Sequence, residues 1–86
     1  IVVLTVSTFL PMQAMEWVIV LLLISLVIVA EILNTAIEKT IDMIEDKFNP
    51  TAKTVKDLSA AAVLYISITA AVIGAIIYLP KILALF

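Results

Sequence analysis

The sequence predicts an all-α polytopic membrane protein in which each protomer contributes three transmembrane helices, the first of them incomplete, to a helical bundle. Of its 86 residues, 65% are hydrophobic and 14% are charged, whereas soluble domains carry about 25% charged residues. Crossing a hydrocarbon core of ~30 Å takes about 20 apolar residues per helix. Three such helices use most of the chain, so it forms a single domain over residues 1–86.

The first helix is expected over residues 1–10, which are apolar apart from Thr5, Ser7 and Thr8. Ten residues rise only about 15 Å, too little to cross a bilayer. Pro11 predicts a turn, because proline has no amide proton to continue a helix. We therefore interpret this stretch as the second half of a spanning helix, and the chain, which begins at Ile1, as an N-terminally truncated fragment.

The second helix is expected over residues 15–46. Between Met15 and Ala30 the only charge is Glu16, and Trp17 suits the aromatic belt that anchors helix ends at a membrane interface. Glu31 follows Trp17 by 14 residues, a rise of about 21 Å. We therefore expect Glu31 to lie inside the membrane, near the opposite face.

The third helix is expected over residues 50–79. Asn49 is a candidate N-cap and Pro50 suits the first helical position, while Pro80 predicts the end of the helix. The small residues along it permit close helix packing; they are Ser59, Ser67, Ala70, Ala71 and Gly74.

Residues 39–57 are predicted to be a water-exposed connection on the cytoplasmic side. Lysines concentrate on the cytoplasmic side of membrane proteins. Four lysines lie in this segment and one, Lys81, lies beyond the third helix.

Four polar residues share one stripe of the second helix. At about 100° per residue, Glu31, Asn34, Glu38 and Asp42 fall within roughly 80° of arc. Ionisable residues at membrane depth usually mark a site. Glu31 and Glu38 are separated by about 10.5 Å along the axis, too far to ligate one ion directly, so we expect separate roles.

The composition limits the chemistry of this site. The chain has no cysteine and no histidine, which leaves carboxylates, lysines and hydroxyls. Gly74 is the only glycine, so neither a Walker loop nor a dinucleotide fingerprint can be present. The net charge of -2 gives no reason to expect nucleic acid, which requires a basic face.

The residues themselves allow two interpretations of the stripe. Glu31 can act as a general base on a lipid hydroxyl, and Glu38 can bind magnesium together with substrate phosphates; Lys56 and Asp57 can add contacts to a phosphate near a helix N-terminus. Alternatively, Glu31 and Glu38 belong to a buried interhelical network that holds an oligomer together. Asn34 is equally suited to an interhelical contact or to a ligand.

The run Glu-x-x-Asn-x-Ala-x-Glu-x-x-x-Asp that begins at Glu31, with Lys56-Asp57 and the following Ala60-Ala61-Ala62-Val63, closely resembles the small bacterial integral-membrane diacylglycerol kinase and undecaprenol kinase family. The ending Leu79-Pro80-Lys81 looks more like the undecaprenol kinase branch. The resemblance implies a homotrimer in the bacterial inner membrane. It also implies transfer of the γ-phosphoryl group of Mg²⁺-ATP to a lipid hydroxyl, that of diacylglycerol or undecaprenol, at the cytoplasmic face.

The resemblance also implies a role for each matching position. Glu31 corresponds to the general base and Glu38 to the ligand of metal and nucleotide, while Asn34 corresponds to a polar residue of the active site that contacts substrate. The nucleotide-binding candidates are Lys47, Phe48, Asn49, Lys56 and Asp57, and further candidates for contact with the lipid are Trp17 and Ala60.

The sequence departs from the family in two places. At Lys47-Phe48-Asn49 the family usually shows an acidic residue, an aromatic residue and a histidine. The family's surface helix and second metal-binding glutamate would lie before Ile1, so residues 1–86 by themselves are expected to be inactive.

A rival interpretation from another class is a structural or ion-translocating membrane oligomer built around one intramembrane carboxylate. Such a ring would need glycine-rich, closely packed helices and a single buried carboxylate. This chain has one glycine, and a second carboxylate continues its stripe toward the lysines, which favours the kinase.

Overall fold

The computed structural model describes residues 1–44 and 49–86, and all regular structure in these ranges is helical. The helices are α1 (Val2–Thr8), α2 (Ala14–Ile44) and α3 (Pro50–Leu83). The predicted all-α class is thereby confirmed. The predicted nucleotide contacts at Lys47 and Phe48 lie outside the described residues.

Helix α1 ends at Thr8, two residues before the end expected from the sequence. Its final backbone bonds span three residues rather than four, from Phe9 N to Val6 O at 3.1 Å and from Leu10 N to Ser7 O at 3.4 Å. Pro11 explains this early end, because a residue before proline is disfavoured in the α conformation.

Helix α2 begins with half of a capping box. The backbone N–H of Gln13 donates to Glu16 Oε1 at 3.0 Å, which is the contact that a glutamate at the third helical position makes with the residue before the helix. The helix continues without interruption for 31 residues. Residues 39–44, which the sequence predicted both as the end of the second helix and as the start of the water-exposed connection, form the last turns of α2.

Helix α3 begins as predicted. Asn49 Oδ1 accepts hydrogen bonds from the backbone of Thr51 at 2.9 Å and of Ala52 at 3.2 Å, and Pro50 occupies the first turn, where its missing N–H costs nothing.

The predicted end of α3 at Leu79 is wrong, since the helix includes Pro80 and continues to Leu83. Proline removes only one backbone bond here. The final turn is closed by the bond from Ala84 N to Pro80 O at 3.1 Å.

The described chain is a thin rod of 55 × 18 × 16 Å with almost no interior. Among the residues that the structure describes, the buried apolar side chains are those of Leu10, Val20 and Ile77. In α2 almost none, and in α3 none, of the most apolar window is buried, unlike the core helix of a soluble protein. Both helices are long and apolar enough to cross a membrane, so two of the predicted spans are supported.

A third span and a homotrimer stay predictions. Helix α1 has seven residues and rises only about 10.5 Å. One side-chain hydrogen bond joins it to α3, between the hydroxyls of Ser7 and Tyr78; Ser7 Oγ also donates to Val3 O within α1 at 2.7 Å.

An ion pair joins the start of α2 to the end of α3. Lys81 Nζ lies 2.9 Å from Glu16 Oε1 and donates to Pro11 O at 3.0 Å. The first turn, the start of α2 and the end of α3 are therefore tied together at one end of the rod.

The small residues of α3 do not bring α2 and α3 into close contact along their whole length. Ala70, Ala71 and Gly74 line an open apolar cavity of about 400 Å³ together with Val3 and Val20. A Cβ atom added to Gly74 would meet no atom within 4 Å. Within the single chain, these small residues therefore make no close helix contact at this position.

Candidate functional site

The polar residues of α2 and α3 meet at the end of the rod opposite the Glu16–Lys81 pair. Five residues connect α2 to α3, so the two helices run antiparallel. Ser59 Oγ donates to Asn34 Oδ1 at 2.5 Å, and Lys56 Nζ donates to Asp42 Oδ1 at 2.5 Å. The antiparallel arrangement thus brings the predicted residues Asn34 and Lys56 into one cluster.

The centre of this cluster is the side chain of Asn34, which uses both ends of its amide. Its Oδ1 accepts from Ser59, and its Nδ2 donates to Glu38 Oε1 at 3.2 Å. Asn34, Glu38 and Ser59 are each half-buried. Within the described part of the chain, the second carboxylate oxygen of Glu38 has no hydrogen-bond partner, which leaves it available to a ligand.

Glu31 lies apart from this cluster. It is exposed and borders a separate open pocket of about 320 Å³ with Ile28, Ile32 and Thr35. Three residues along a helix correspond to roughly 60° of rotation, enough to turn Glu31 out of the α2–α3 interface while Asn34 faces α3. The predicted stripe is therefore divided: Asn34 faces α3, and Glu31 faces outward.

Lys56 and Asp57 are neighbours in sequence with different partners. Lys56 pairs with Asp42 across the helices, whereas Asp57 pairs with Lys53 at 2.6 Å within α3. These side chains are 36–64% exposed. Water-exposed ion pairs contribute little to stability, so either lysine can exchange its carboxylate partner for a phosphate at low cost.

Other predicted site residues lie outside the cluster or have another role in it. Trp17 is in the first turn of α2, about 21 Å along the helix from Glu31. Ala60 is exposed and follows Ser59 on α3. Asn49, a candidate both for capping and for nucleotide contact, caps α3 with its side-chain oxygen.

The structure adds Ser59 to the residues expected from the sequence. Its small side chain indicated helix packing only. The contact with Asn34 depends on the register of one helix against the other, and no local signal in the sequence gives that register.

A magnesium ion would have few ligands in this chain. No group of three acidic side chains within residues 1–44 and 49–86 is placed to hold a metal ion. Magnesium often uses one or two carboxylates and completes its coordination with phosphate oxygens and water. The available oxygen of Glu38 fits the protein's share of such a site, provided that the nucleotide supplies most of the other ligands.

These features define a class of protein. Two helices are long and apolar enough to cross a membrane and have few buried residues, as in a membrane protein, and polar side chains gather near one end of them. The sequence model for prokaryotic diacylglycerol kinase matches residues 1–78. The chain belongs to this family of prokaryotic lipid kinases, as the resemblance predicted.

Curated relatives are similar over most of the chain. An undecaprenol kinase of Bacillus subtilis (strain 168) is 46% identical over 70 residues, which cover 81% of this chain and 57% of that protein. A diacylglycerol kinase of Synechocystis is 34% identical over 84 residues, or 96% of this chain and 48% of the relative. A diacylglycerol kinase of Helicobacter pylori (strain ATCC 700392 / 26695) is 36% identical over 58 residues, which cover 67% of this chain and 45% of that protein.

The chain therefore spans about half the length of these curated relatives. No solved structure matches it.

Proposed function

We propose that this protein is a lipid kinase that transfers the γ-phosphoryl group of Mg²⁺-ATP to the hydroxyl of a membrane lipid, undecaprenol or diacylglycerol. One observation carries the proposal. Glu31 faces outward from an apolar helix, where a lipid can reach it. The half-buried Lys56 and the exposed Asp57 lie toward the end of the helix pair, where a nucleotide can reach them.

The order of these residues along α2 suits a reaction at a membrane surface. Glu31 lies seven residues before Glu38, about 10.5 Å along the axis. Glu31 takes the proton of the lipid hydroxyl, and the resulting oxygen attacks the γ-phosphorus. The bond from that phosphorus to the oxygen of the departing ADP breaks. Most of the catalysis is positioning and neutralisation of phosphate charge.

The remaining side chains of the site hold the nucleotide. Lys56 leaves Asp42 to bind a phosphate oxygen, and Asp57 provides a second polar contact. Glu38 would hold Mg²⁺ through its available oxygen, and the ion would supply positive charge to the phosphates. Asn34 keeps the Glu38 side chain in place through the bond at 3.2 Å.

The proposed orientation places this end of the helices in the cytoplasm, across the bacterial inner membrane. Lys39, Lys53 and Lys56 are at this end, while Lys81 at the other end is paired with Glu16. Lysines are retained on the cytoplasmic side, where ATP is present.

The exposed carboxylate of Glu31 also supports the proposed homotrimer. An ionisable side chain is costly against lipid, and a second copy of the chain would cover part of the surface around it. The 46% identity with an undecaprenol kinase supports undecaprenol as the first acceptor to test.

The test is a transfer assay with γ-labelled ATP, Mg²⁺ and a panel of lipid alcohols, on the purified protein in its natural sequence context in micelles. We expect labelled lipid phosphate, and we expect Glu31→Gln to lower turnover by about 10² to 10⁴, the usual contribution of general acid–base catalysis. Glu16→Gln is the matched control: the same chemical change on the same helix, at the other end of the rod. It should retain near-normal turnover.

Two results would contradict the proposal. The activity is refuted if no lipid alcohol in the panel is labelled. The role of Glu31 as the base is refuted if Glu31→Gln turns over as fast as Glu16→Gln.

A further inference from the structure

The hydroxyl group of Ser59 contacts both helices of the polar cluster. Its Oγ donates to Asn34 Oδ1 at 2.5 Å on α2 and lies 3.0 Å from the backbone oxygen of Lys56 on its own helix. A serine hydroxyl has a single hydrogen, and the shorter contact is the one between helices. Ser59 therefore joins the turn that carries Lys56 to the side chain of Asn34.

The direction of the Asn34 amide follows from its two partners. An ionised carboxylate such as Glu38 can only accept hydrogen bonds, whereas a hydroxyl can donate. The NH₂ group of Asn34 must then face Glu38 and its oxygen must face Ser59, as observed. A flipped amide would set its oxygen against the carboxylate of Glu38, which is repulsive.

We propose that Ser59 is a positioning residue of the kinase site: it orients the Asn34 amide, which in turn holds the Glu38 carboxylate at a fixed place relative to Lys56. This inference rests on the proposed function. Glu38 and Lys56 are the groups assigned to metal and phosphate, and the chain Ser59–Asn34–Glu38 is a hydrogen-bonded connection between their helices, beside the ion pair of Lys56 with Asp42. In this role Ser59 acts through Asn34 rather than on a substrate.

The alternative is that Ser59 is present only because it is small. Ser59→Ala separates the two cases, since alanine is as small as serine but cannot donate a hydrogen bond. Ser59→Thr keeps the donor and adds a methyl group. Ser67→Ala is the matched control, because Ser67 is a half-buried serine two turns further along α3 and has no hydrogen bond to α2 within the described residues.

The kinetic test measures KM for Mg²⁺-ATP, KM for the lipid and kcat in the full protein. We expect Ser59→Ala to raise KM for Mg²⁺-ATP by about 3- to 10-fold, the effect of one net hydrogen bond, while KM for the lipid changes less than twofold. Ser59→Thr should recover most of the loss, and Ser67→Ala should match the unmodified protein. Adding Ser59→Ala to Asn34→Ala should cause little further loss.

A second measurement does not depend on activity. The side-chain NH₂ resonances of Asn34, followed by NMR in micelles without ATP, should shift on Glu38→Gln and also on Ser59→Ala, but not on Ser67→Ala. If Ser59→Ala leaves these resonances and KM for Mg²⁺-ATP unchanged, or if its effect adds in full to that of Asn34→Ala, the positioning role is refuted.

The two measurements separate this inference from the proposed function. Failure of the unmodified protein to label any lipid refutes the kinase proposal, whereas the Asn34 resonances still decide whether Ser59 orients the amide.

Discussion

The hydrogen-bonded hydroxyls of buried Ser7 and half-buried Tyr78 offer a quantitative test of how α1 is held. Ser7 is only 1% exposed and donates its single hydrogen to Val3 O at 2.7 Å. Tyr78 must therefore be the donor in the contact between the two hydroxyls. Deleting one hydroxyl is not equivalent to deleting the other, because loss of the Tyr78 hydroxyl removes the donor of this bond and loss of the Ser7 hydroxyl removes its acceptor.

The expected costs follow from what each variant leaves behind. Tyr78→Phe removes one hydrogen bond and leaves no unpaired donor, so it should lower the free energy of unfolding by about 0.5–1.5 kcal/mol. Ser7→Ala leaves the Tyr78 hydroxyl without its acceptor, which costs about 1–3 kcal/mol. Once that hydroxyl has lost its partner, Tyr78→Phe should cost nothing more and can recover part of the loss.

The assay is reversible unfolding of the protein in micelles, followed by circular dichroism and by fluorescence of Trp17, the only tryptophan. Tyr65→Phe is the control, because the same hydroxyl is deleted from a side chain on a residue that is 75% exposed, and it should change stability by less than about 0.5 kcal/mol. If Tyr78→Phe costs no more than Tyr65→Phe, or if the losses of the two variants at Ser7 and Tyr78 simply add, the contact does not hold α1.

Two further predictions concern the nucleotide. Glu38→Gln should raise the magnesium requirement and weaken nucleotide binding more than lipid binding, because the amide is a poorer magnesium ligand; equal shifts in calorimetric titrations with Mg²⁺-ATP and with lipid would make Glu38 structural. Lys56→Gln should weaken ATP binding and reduce its dependence on salt, whereas Asp42→Asn should bind ATP at least as tightly, because it releases the Lys56 ammonium. Weaker binding by both variants in the same titration would show that their ion pair, rather than the free lysine, is needed.

Much of the fold follows from local signals in the sequence. The long apolar runs predict α2 and α3, and Asn49-Pro50 marks the start of α3 because side-chain capping and a missing N–H act within one turn. Pro80 is the counterexample. The destabilisation of a helix by proline is also local, but near the end of a helix proline removes only one backbone hydrogen bond. Helix α3 therefore continues through Pro80 to Leu83.

The candidate site was predictable in part. Helical periodicity places Glu31, Asn34 and Glu38 near one face from sequence spacing alone. It does not say which part of that face another helix covers, and so it did not separate Glu31, which faces outward, from Asn34, which faces α3.

By itself the sequence determined the helical class, the start of α3 and the set of polar residues on α2, because propensity, capping and periodicity are properties of neighbouring residues. The pairing of side chains between helices came from the three-dimensional packing: Ser59 with Asn34, Lys56 with Asp42 and Tyr78 with Ser7. Each of these contacts joins residues on different helices. Their distances depend on the register and rotation of one helix against another, which no single segment of the chain encodes.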